Sequence, residues 1–491
     1  MPITKRKLVA RLDTAEPLKL RHRVMQNKLA AIILAAGVGK RMRSRLPKVL
    51  HSCCGLPLIS HAVRLALARK CNPIVVVISP QGEKVKETLI KLFPQTNLKF
   101  AVQSKPYGTG DATAVGLEAL KNYTGNIFIT YGDVPLLTSA TVARLERAVK
   151  KASLALLTAE LADPKGYGRV VRSGTLAQRI VEDKDANVSE QAICEINAGA
   201  YVVNAALLRK ALKGLSPSNA QGELYLTDII PIAAAAGGAV PVKIADFAEA
   251  CGVNNRAELA SAEAVLQQRL IALHQKNGVT FRNPQNTVIG FDVTLAADVE
   301  IGVGVQLYGK IKIGRGSRIN GPTIIRDTFI AENVQIESFC HIENAHIAAG
   351  ARIGPFARLR PGADVGADAH VGNFVEIKKA SLGKGAKANH FTYLGDTTVG
   401  PKVNIGAGTI TCNYDGKNKH PTSIGKGAFI GSNSTLVAPL EIGDGAYIAA
   451  GSTITQKVPA DTLAFGRARQ QNREGYANTL RKRIANQKGK K

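Results

Sequence analysis

The chain has 491 residues, 45% of them hydrophobic and 21% charged, which is the composition of a globular protein with room for two or more domains. Its formal net charge of +28 suits anionic small substrates, although a solvated basic surface explains the charge equally well. Only 5% of the residues are aromatic and none is Trp, so we expect no nucleic-acid interface built on base stacking.

Composition also bears on the cellular location. No apolar run reaches the ~18 residues that cross a membrane. The seven cysteines include no pair with zinc-ligand spacing, and we expect reduced thiols in a cytoplasmic enzyme. Residues 1–27 form a basic extension without the apolar segment of a secretory signal, and we expect disorder there, with Met25 as an alternative start. The basic tail 481–491 is also poor in apolar residues, and we expect it to be disordered.

Residues 28–256 alternate between strand-like and helix-like segments. Helical patterns occur at 59–68 and 110–120, and apolar strand-like runs occur at 29–34, 74–78, 99–102, 126–130, 154–158 and 198–203. Such alternation predicts an α/β domain with a mostly parallel sheet, in which ligands bind beyond the carboxyl ends of strands.

Two polar clusters follow strands of this predicted sheet. Gly37 to Arg41 directly follows the first run, and glycines there let backbone N–H groups approach a phosphate, although a plain strand-to-helix turn explains the segment equally well. Asp133 follows the run 126–130 and suits Mg²⁺ beside phosphates; the alternative is a helix-capping or turn aspartate.

The run 295–454 carries an aliphatic residue every six positions for most of its length, as at Ile301, Leu307, Ile313 and Ile319. A period of six fits neither a helix nor a simple strand, and it predicts a parallel β-solenoid with about 18 residues per coil. Four steps of five residues predict shortened corners, and residues 413–423 predict a loop that leaves one coil.

Between the two patterns, residues 257–277 read as a linker helix that ends at Gly278. Leu259, Leu266, Leu270 and Leu273 are expected on one side of it. A partner-binding helix is the alternative. The domains are therefore expected at 28–256, 257–277 and 278–491, with the basic tail at the end of the last.

Arg360 and Lys378 lie 18 positions apart with no short step between them. We therefore expect them on successive coils, roughly 5 Å apart, where two cations repel each other unless an anion lies beside them. A bound sugar phosphate would supply the anion. The alternative is that both side chains extend separately into water.

The chain resembles a known family along nearly all of residues 28–476. The motifs that carry the resemblance are LAAGVGKRM (34–42), LPKVL (46–50), GTG (108–110), YGDVP (131–135), GYGR (166–169), GVNNR (252–256), RLRP (358–361), GNFVEIKK (372–379), HFTYLGD (390–396) and NIGAGTITCNYDG (404–416). They are similar to the GlmU family of bifunctional UDP-N-acetylglucosamine pyrophosphorylases and glucosamine-1-phosphate N-acetyltransferases.

The resemblance implies a Rossmann-like mixed sheet followed by a left-handed parallel β-helix of hexapeptide repeats. It also implies two reactions, acetylation of glucosamine-1-phosphate by acetyl-CoA and then uridylyl transfer from UTP to N-acetylglucosamine-1-phosphate with Mg²⁺. The product, UDP-N-acetylglucosamine, would supply peptidoglycan and lipopolysaccharide precursors. A homotrimer is implied as well, with acetyl-transfer sites between solenoids.

For uridylyl transfer, the resemblance implies nucleotide contacts through Leu34, Ala35, Ala36 and Gly37, and triphosphate contacts through Arg41 and Lys48. The uracil contacts would be Gln103, Gly108 and Thr109. The motif Tyr131, Gly132 and Asp133 would adjoin the nucleotide, and Asp133 and Asn254 would hold Mg²⁺. Gly168, Glu182 and Asn197 would hold the sugar. Lys40 replaces the Thr that is usual in the family, so we expect altered nucleotide affinity with activity retained.

For acetyl transfer, the resemblance implies His390 as the general base. His341, His346, His370 and His420 lie in the same region, so composition alone does not select it. Sugar-phosphate contacts would be Arg360, Lys378, Tyr393 and Asn404. The acetyl-CoA contacts would be Ala407, Asn413, Tyr414, Lys419, Ser432, Ala450 and Arg467, with a looser match around Arg467.

Two other functions use the same architecture. One is a nucleotidyltransferase for another sugar or base whose solenoid serves only for oligomerisation. The other is a non-catalytic assembly subunit. The first requires the motif around His390, Tyr393 and Asn413 to be accidental, and the second gives no reason to keep Lys48 and Asp133.

Overall fold

The computed structural model describes residues 29–488, so the expected disorder of 1–27 lies outside the described residues. The described residues form two compact units. The first contains 29–36, Val63–Tyr131 and Thr138–Ala245, and the second contains Gly37–Ala62, Gly132–Leu137 and 246–488. In the described part of the chain, no helix combines the length and apolar character that a membrane span needs.

The first unit is built on a mixed sheet. Its strands in chain order are β1 (Leu29–Leu34), β2 (Ile74–Ile78), β3 (Leu98–Val102), β4 (Asn126–Tyr131), β5 (Leu154–Glu160), β6 (Arg169–Ser173), β7 (Leu176–Val181), β8 (Glu195–Asn204) and β9 (Ala239–Lys243). The strand order is β9-β5-β8-β4-β1-β2-β3. β1 pairs in parallel with β2 and β4, whereas β8 runs antiparallel to both β4 and β5.

The predicted strands of this unit are confirmed, and most of them are buried within the sheet, whereas the edge strand β3 buries only Ala101. All six residues of β1 are buried, as are all five of β2. The hairpin β6–β7 and the edge strand β9 were not predicted: β6 and β7 interleave polar residues, and β9 contains Pro241.

The α-helices of the N-terminal half are Leu58–Ala68, Glu83–Leu92, Thr109–Glu118, Ser139–Ala148, Val188–Gln191, Ala205–Leu212 and Ile229–Ala235. Short 3₁₀ segments occur at Lys40–Met42, Lys48–Leu50, Val149–Lys151, Leu226–Asp228 and Phe247–Ala250. A two-strand hairpin joins Ser52–Cys53 to Leu56–Pro57. The helices predicted at 59–68 and 110–120 are confirmed.

The second unit contains a parallel β-helix. Its strands are Thr280–Phe281, Val288–Ile289, Val293–Leu295, Glu300–Ile301, Val305–Tyr308, Ile311–Ile313, Arg318–Ile319, Thr323–Arg326, Phe329–Ile330, Gln335–Ile336, His341–Glu343, His346–Ile347, Arg352–Ile353, Arg358–Leu359, Ala363–Val365, His370–Lys378, Ala380–Leu382, Lys387–Gly395, Thr397–Val399, Asn404–Ile405, Ile410–Cys412, Thr422–Ile424, Phe429–Ile430, Thr435–Val437, Leu440–Ile442, Tyr447–Ile448, Thr453–Ile454 and Leu463–Ala464. A 3₁₀ turn, Pro284–Asn286, lies in its first coil.

The predicted register of the coils is confirmed. Ile301 pairs with Ile319, 18 positions on, and Ile313 pairs with Ile330, 17 positions on, because a five-residue step lies between them. The hexad aliphatics point inward and form one continuous buried core. The predicted loop is also present, although the strand Thr422–Ile424 resumes before the expected end of the loop at Ser423.

The helix predicted between the patterns spans Arg256–Lys276 and begins at the cap Asn255. Leu266 is buried, but the expected placement of Leu273 is wrong, because 54% of this residue is exposed. Ile271 is buried instead and joins the β-helix core. The buried residues of this helix do not follow a single leucine stripe, because the helix packs on two hydrophobic clusters. Leu266 belongs to one cluster, and Ile271 belongs to the core of the β-helix.

The C-terminal tail differs from the expectation of disorder. Tyr476–Lys488 is an α-helix, and residues 476–487 are all exposed. Leu480 and Ile484 lie four positions apart, which is a helical spacing. The prediction of disorder relied on the high basic charge and did not weigh this spacing. Residues 489–491 lie outside the described part of the chain.

The hexad core yields a matched pair of substitutions within one strand. In Gln335–Ile336, Ile336 is fully buried and Gln335 is exposed. Ile336→Ala should lower the free energy of unfolding by about 2–4 kcal/mol because it leaves a cavity between coils. Gln335→Ala should change it by less than about 0.5 kcal/mol. Urea unfolding followed by circular dichroism measures both, and equal effects would contradict an inward-facing hexad.

Candidate active sites

The glycine loop positions Lys48 in the second unit. Gly39 has a φ of +66°, and a Cβ there would lie 2.5 Å from the Cβ of Lys48. Any side chain at Gly39 would therefore both strain the backbone and displace Lys48. A Cβ added to Gly37 would meet no atom within 4 Å. Three residues later the chain forms the 3₁₀ turn Lys40–Met42, in which Arg41 is exposed.

Lys48, Asp133 and Asn254 form one hydrogen-bonded group in the same unit. The Lys48 ammonium donates to Asp133 Oδ2 and to Asn254 Oδ1, the latter at 3.1 Å. The side chains of Lys48 and Asp133 are only 13% and 18% exposed. Two oxygens from distant parts of the sequence are thus directed at one cationic position.

This donor set suits a magnesium ion, because Mg²⁺ is usually bound by one or two carboxylate oxygens together with phosphate oxygens. The described residues contain no group of three or more His, Cys, Asp and Glu side chains that could hold a metal. A site on Asp133 and Asn254 would use one carboxylate and one amide oxygen, and phosphate oxygens would complete it. Asp133 is not a helix cap, since the next helix begins at Ser139 and Thr138 is its cap, but it does lie in a turn, as the turn alternative predicted.

In the first unit, Gly168, Glu182 and Asn197 lie together. A Cβ at Gly168 would lie 3.3 Å from both carboxylate oxygens of Glu182, so glycine keeps this carboxylate accessible. The N–H of Asn197 donates to the carbonyl of Gly168 at 2.8 Å. The Asn197 amide is hydrogen bonded to the hydroxyl of the fully buried Tyr201, with 2.7 Å between Nδ2 and Oη.

Burial raises the pKa of the Glu182 carboxyl, and the neighbouring carboxylates Asp185, Asp228 and Asp183 raise it further, against a hydrogen bond from Thr227. Thr227 Oγ1 lies 3.3 Å from Glu182 Oε1. Glu182 is thus a partly desolvated carboxyl that accepts hydrogen bonds, as recognition of sugar hydroxyls requires.

Gln103, Gly108 and Thr109 also lie together in the first unit. The buried Gln103 donates from Nε2 to the Gly108 carbonyl at 3.1 Å and to Asp111 at 2.8 Å. Gly108 has a φ of +107°, and a Cβ there would lie 2.5 Å from the Leu224 carbonyl oxygen. Thr109 Oγ1 accepts from the Leu226 N–H.

The first strand and its extension supply the other predicted nucleotide contacts of this unit. Leu34 ends β1, and the Ala35 N–H donates to the Val77 carbonyl at 2.8 Å. A nucleotide contact at Ala35 therefore has to use another atom. Ala36 and Tyr131 pack at the margin of the core, and a Cβ on Gly199 would collide with the Tyr131 ring. Gly132, in the second unit, is buried.

Three cations meet at one corner of the β-helix. The strands of Arg360 and Lys378 are in register, as predicted, since Leu359 pairs with Ile377. Arg360 Nη1 donates to Glu376 at 2.8 Å, so its charge is balanced within the chain. Lys378 is different: contact with the Lys419 ammonium lowers the pKa of Lys378, and Arg360 repels it further. This arrangement favours an anionic ligand at Lys378 and Lys419.

Tyr393, Asn413 and Asp396 adjoin these cations. A Cβ on Gly395 would lie 2.4 Å from the Tyr393 hydroxyl oxygen and 2.7 Å from Asn413 Nδ2, so both groups converge over this glycine. Asn413 is buried and its amide donates to Asp396. This bond uses one of the two N–H donors of the amide, so a contact from Asn413 to an oxyanion would use the other.

The five candidate histidines differ in their surroundings. His346 is hydrogen bonded to Asp364 at 2.9 Å and His420 to Asp415 at 2.7 Å. Burial lowers the pKa of His370. His341 and His390 are both exposed on strands, and His390 pairs in register with Asn373, immediately before the corner at Phe391. Tyr393 follows this corner, so His390 and Tyr393 lie on adjoining faces.

The predicted acetyl-CoA contacts Ala407, Ser432, Ala450 and Arg467 form a column along successive coils. The Ala407 carbonyl accepts from Asn433, and the Ser432 carbonyl accepts from Gly451. A Cβ on Gly451 would lie 3.9 Å from Arg467 Cδ. Tyr414 is exposed and bridges to Lys419 across the loop, while Asn404 pairs with Lys387 and Phe429 in the strand register.

Comparison with known proteins identifies the class. Residues 31–191 match the MobA-like NTP transferase domain, and residues 421–456 match the bacterial transferase hexapeptide (six repeats). The hexapeptide match agrees with a left-handed β-helix. A nucleotidyltransferase domain and a hexapeptide acyltransferase domain in one chain define a multifunctional transferase.

The particular family follows from curated relatives that carry the name "Bifunctional protein GlmU". The relative in Anaeromyxobacter sp. (strain Fw109-5) is 51% identical over 94% of this chain and 94% of its own length. That in Stutzerimonas stutzeri (strain A1501) is 47% identical over 92% and 100%, and that in Sorangium cellulosum (strain So ce56) is 44% identical over 93% and 97%. The chain belongs to the bifunctional GlmU family.

Burial of Glu182 predicts a pH-dependent stability effect. Because the folded-state pKa lies above the ordinary 4.5, the unfolded chain ionises first as the pH rises through that value, and ionisation then favours unfolding. Glu182→Gln should therefore raise the Tm at pH 7, by about 2–4 °C for each kcal/mol gained. The difference should shrink near pH 4. Exposed Glu118→Gln is the matched control, and a Tm gain for Glu182→Gln that is as large at pH 4 would contradict the ionisation argument.

Proposed function

We propose that this protein makes UDP-N-acetylglucosamine by two transfers at separate sites, acetyl transfer to glucosamine-1-phosphate and uridylyl transfer to the acetylated product. The observation that carries the proposal is the presence of two opposite charge arrangements at family motif positions. Asp133 and Asn254 present oxygens to the Lys48 ammonium, whereas Arg360, Lys378 and Lys419 bring three cations together. One suits a metal–triphosphate, and the other suits a sugar phosphate.

In uridylyl transfer, a phosphate oxygen of N-acetylglucosamine-1-phosphate attacks the α-phosphorus of UTP, and the bond to pyrophosphate breaks. Asp133 and Asn254 would hold Mg²⁺, which supplies neutralisation of phosphate charge when bound. Arg41 and Lys48 add positive charge, and Glu182 and Asn197 orient the sugar. Gln103 and Thr109 hold the uracil. Catalysis then consists of positioning and charge neutralisation, without a covalent intermediate.

In acetyl transfer, the glucosamine nitrogen attacks the thioester carbonyl of acetyl-CoA, and the CoA thiolate leaves. The His390 imidazole accepts the proton that the nitrogen loses. Arg360, Lys378 and Lys419 bind the sugar phosphate, and the Tyr393 hydroxyl and Asn413 amide lie beside it. The resemblance assigns Lys419 to acetyl-CoA; we propose it as a phosphate contact instead, because it adjoins Lys378.

We place both reactions in the cytoplasm, since all seven cysteines are free thiols. We also propose, from the family resemblance, that the product is an activated amino sugar for peptidoglycan and lipopolysaccharide precursors.

We further propose a homotrimer, the usual state of hexapeptide-repeat acyltransferases. A column of phenylalanines supports self-association: Phe339, Phe356, Phe374 and Phe391 occupy successive corners with φ between 46° and 65° and exposures of 45–71%. Their first three rings stack at 4.8 and 5.2 Å. Gly408 follows in the same column.

This column is notable because a left-handed corner disfavours bulky side chains by about 1–2 kcal/mol per residue. Turn geometry therefore does not account for phenylalanine, whereas burial against a second copy does. Four partly exposed rings, each about 200 Å² in area, offer several hundred Å² of apolar surface, the size of the largest apolar patch on a typical monomer, and such patches often bind a partner.

The two-site assignment predicts separable activities. With glucosamine-1-phosphate, acetyl-CoA, UTP and Mg²⁺, Asp133→Asn should reduce pyrophosphate release to background and leave thiol release nearly intact. His390→Ala should lower thiol release by about 10²–10⁴-fold. With N-acetylglucosamine-1-phosphate supplied, His390→Ala should release pyrophosphate normally. Loss of both activities from either substitution would contradict independent sites.

The phenylalanine column predicts opposite effects on association and folding. Phe339→Asn with Phe356→Asn should weaken the trimer in light scattering, because asparagine removes the rings. The same double substitution should leave the unfolding free energy of the β-helix unchanged or higher at concentrations where wild-type and variant chains are both dissociated, because asparagine tolerates φ above zero. Phe329→Asn is the control, an exposed phenylalanine outside the column. A stable trimer of the double variant would exclude this surface.

A further inference from the structure

We propose that Glu258 is a positioning residue for the cation site, fixing which end of the Asn254 amide faces Lys48 and Asp133. The inference rests on the proposed metal-dependent uridylyl transfer and adds a residue that none of the motif assignments contains. Glu258 Oε2 accepts from the backbone N–H of Asn254 at 2.7 Å and from Asn254 Nδ2 at 3.1 Å.

A carboxylate can only accept hydrogen bonds, so it attracts the NH₂ end of a neighbouring amide. The Gly252 carbonyl accepts weakly from the same nitrogen, at 3.4 Å. With Nδ2 held in this way, Oδ1 must face the opposite direction, where it accepts from the Lys48 ammonium at 3.1 Å. The orientation matters because only the oxygen end of an amide binds a cation.

A second helix cap in the same chain shows that this contact is more than ordinary capping. Asn187 and Glu190 form a capping box, in which Glu190 accepts from the backbone N–H of the cap residue itself, at 2.9 Å. Glu258 holds the same third position after its cap, Asn255, and its N–H likewise donates to the cap side chain at 2.9 Å.

Glu258 differs in where its carboxylate points. Besides a bond from the Asn255 side chain, it reaches one residue further back and accepts from both the main chain and the side chain of Asn254. The helix cap and the cation site thus share one carboxylate. Loss of such a supporting hydrogen bond typically weakens metal binding by about 10–100-fold.

The test measures binding of Mn²⁺, used in place of Mg²⁺, to the full chain in the presence of UTP and without sugar phosphate, so that no turnover occurs. Free Mn²⁺ is followed by electron paramagnetic resonance. Glu258→Ala should weaken Mn²⁺ binding by about 10–100-fold. Glu258→Gln should stay within a few-fold of the unsubstituted chain, because its carbonyl oxygen still accepts from Asn254.

Glu190→Ala is the matched control, since it removes an equivalent capping carboxylate elsewhere, and it should not change Mn²⁺ binding. Thiol release from acetyl-CoA verifies that each variant is folded; Glu258→Met, which keeps side-chain length without a carboxylate, replaces Glu258→Ala if the latter does not fold.

Unchanged Mn²⁺ affinity in the folded Ala or Met variant would overturn the positioning role. So would an equally large loss in Glu258→Gln, because charge and not amide orientation would then carry the effect. If the unsubstituted chain itself binds no Mn²⁺ with UTP, the metal-dependent transfer fails first, which separates the two conclusions.

Discussion

Parallel hydrogen bonds between successive coils determine which residue of one coil lies above which residue of the next. Once Leu359 pairs with Ile377, the following residues Arg360 and Lys378 occupy the same corner, and their mutual repulsion cannot be avoided by sliding one strand. The buried aliphatics hold this register, since a shift by one residue would turn them outward. Functional side chains thus inherit their spacing from the core.

The two sites handle charge in opposite ways. At Asp133 and Asn254, partly buried oxygens from separate segments share a cationic partner. The ammonium groups of the half-buried Lys378 and the exposed Lys419 approach each other, while Glu376 accepts from Arg360. Water screens part of the repulsion in this partly exposed pair, and a bound anion would relieve the rest.

Regular features of the fold were predictable from local sequence because burial dictates them. The hexad aliphatics and the apolar runs of β1 and β2 can only be stable when buried, so their position in the core follows from composition and period. The β6–β7 hairpin was not predicted because exposed polar pairs, Arg172 and Ser173 in β6 and Gln178 and Arg179 in β7, interrupt its apolar residues. The helix Tyr476–Lys488 was not predicted because its residues 476–487 are all exposed, so no buried apolar face marks it in the sequence.

The partners within each site were less predictable than the sites. Motif resemblance named Lys48, Asp133 and Asn254, but their mutual contact joins residues up to 206 positions apart. Thr227 at Glu182, Glu376 at Arg360 and Glu258 at Asn254 belong to none of the assigned positions. Which hydroxyl or carboxylate supports a functional group depends on side-chain directions that only the folded chain reveals.

One edge of the β-helix absorbs nearly all its variation in chain length. The five-residue steps, such as those ending at Ile330 and Val399, all enter the same face, and the loop before Thr422–Ile424 enters that face too. Coils that are shorter or longer at this edge still keep the inward-facing aliphatic residues of the rest of the β-helix in register. Loops with new functional residues can therefore be inserted at this edge of the β-helix, because an added segment there does not change the pairing of the other strands.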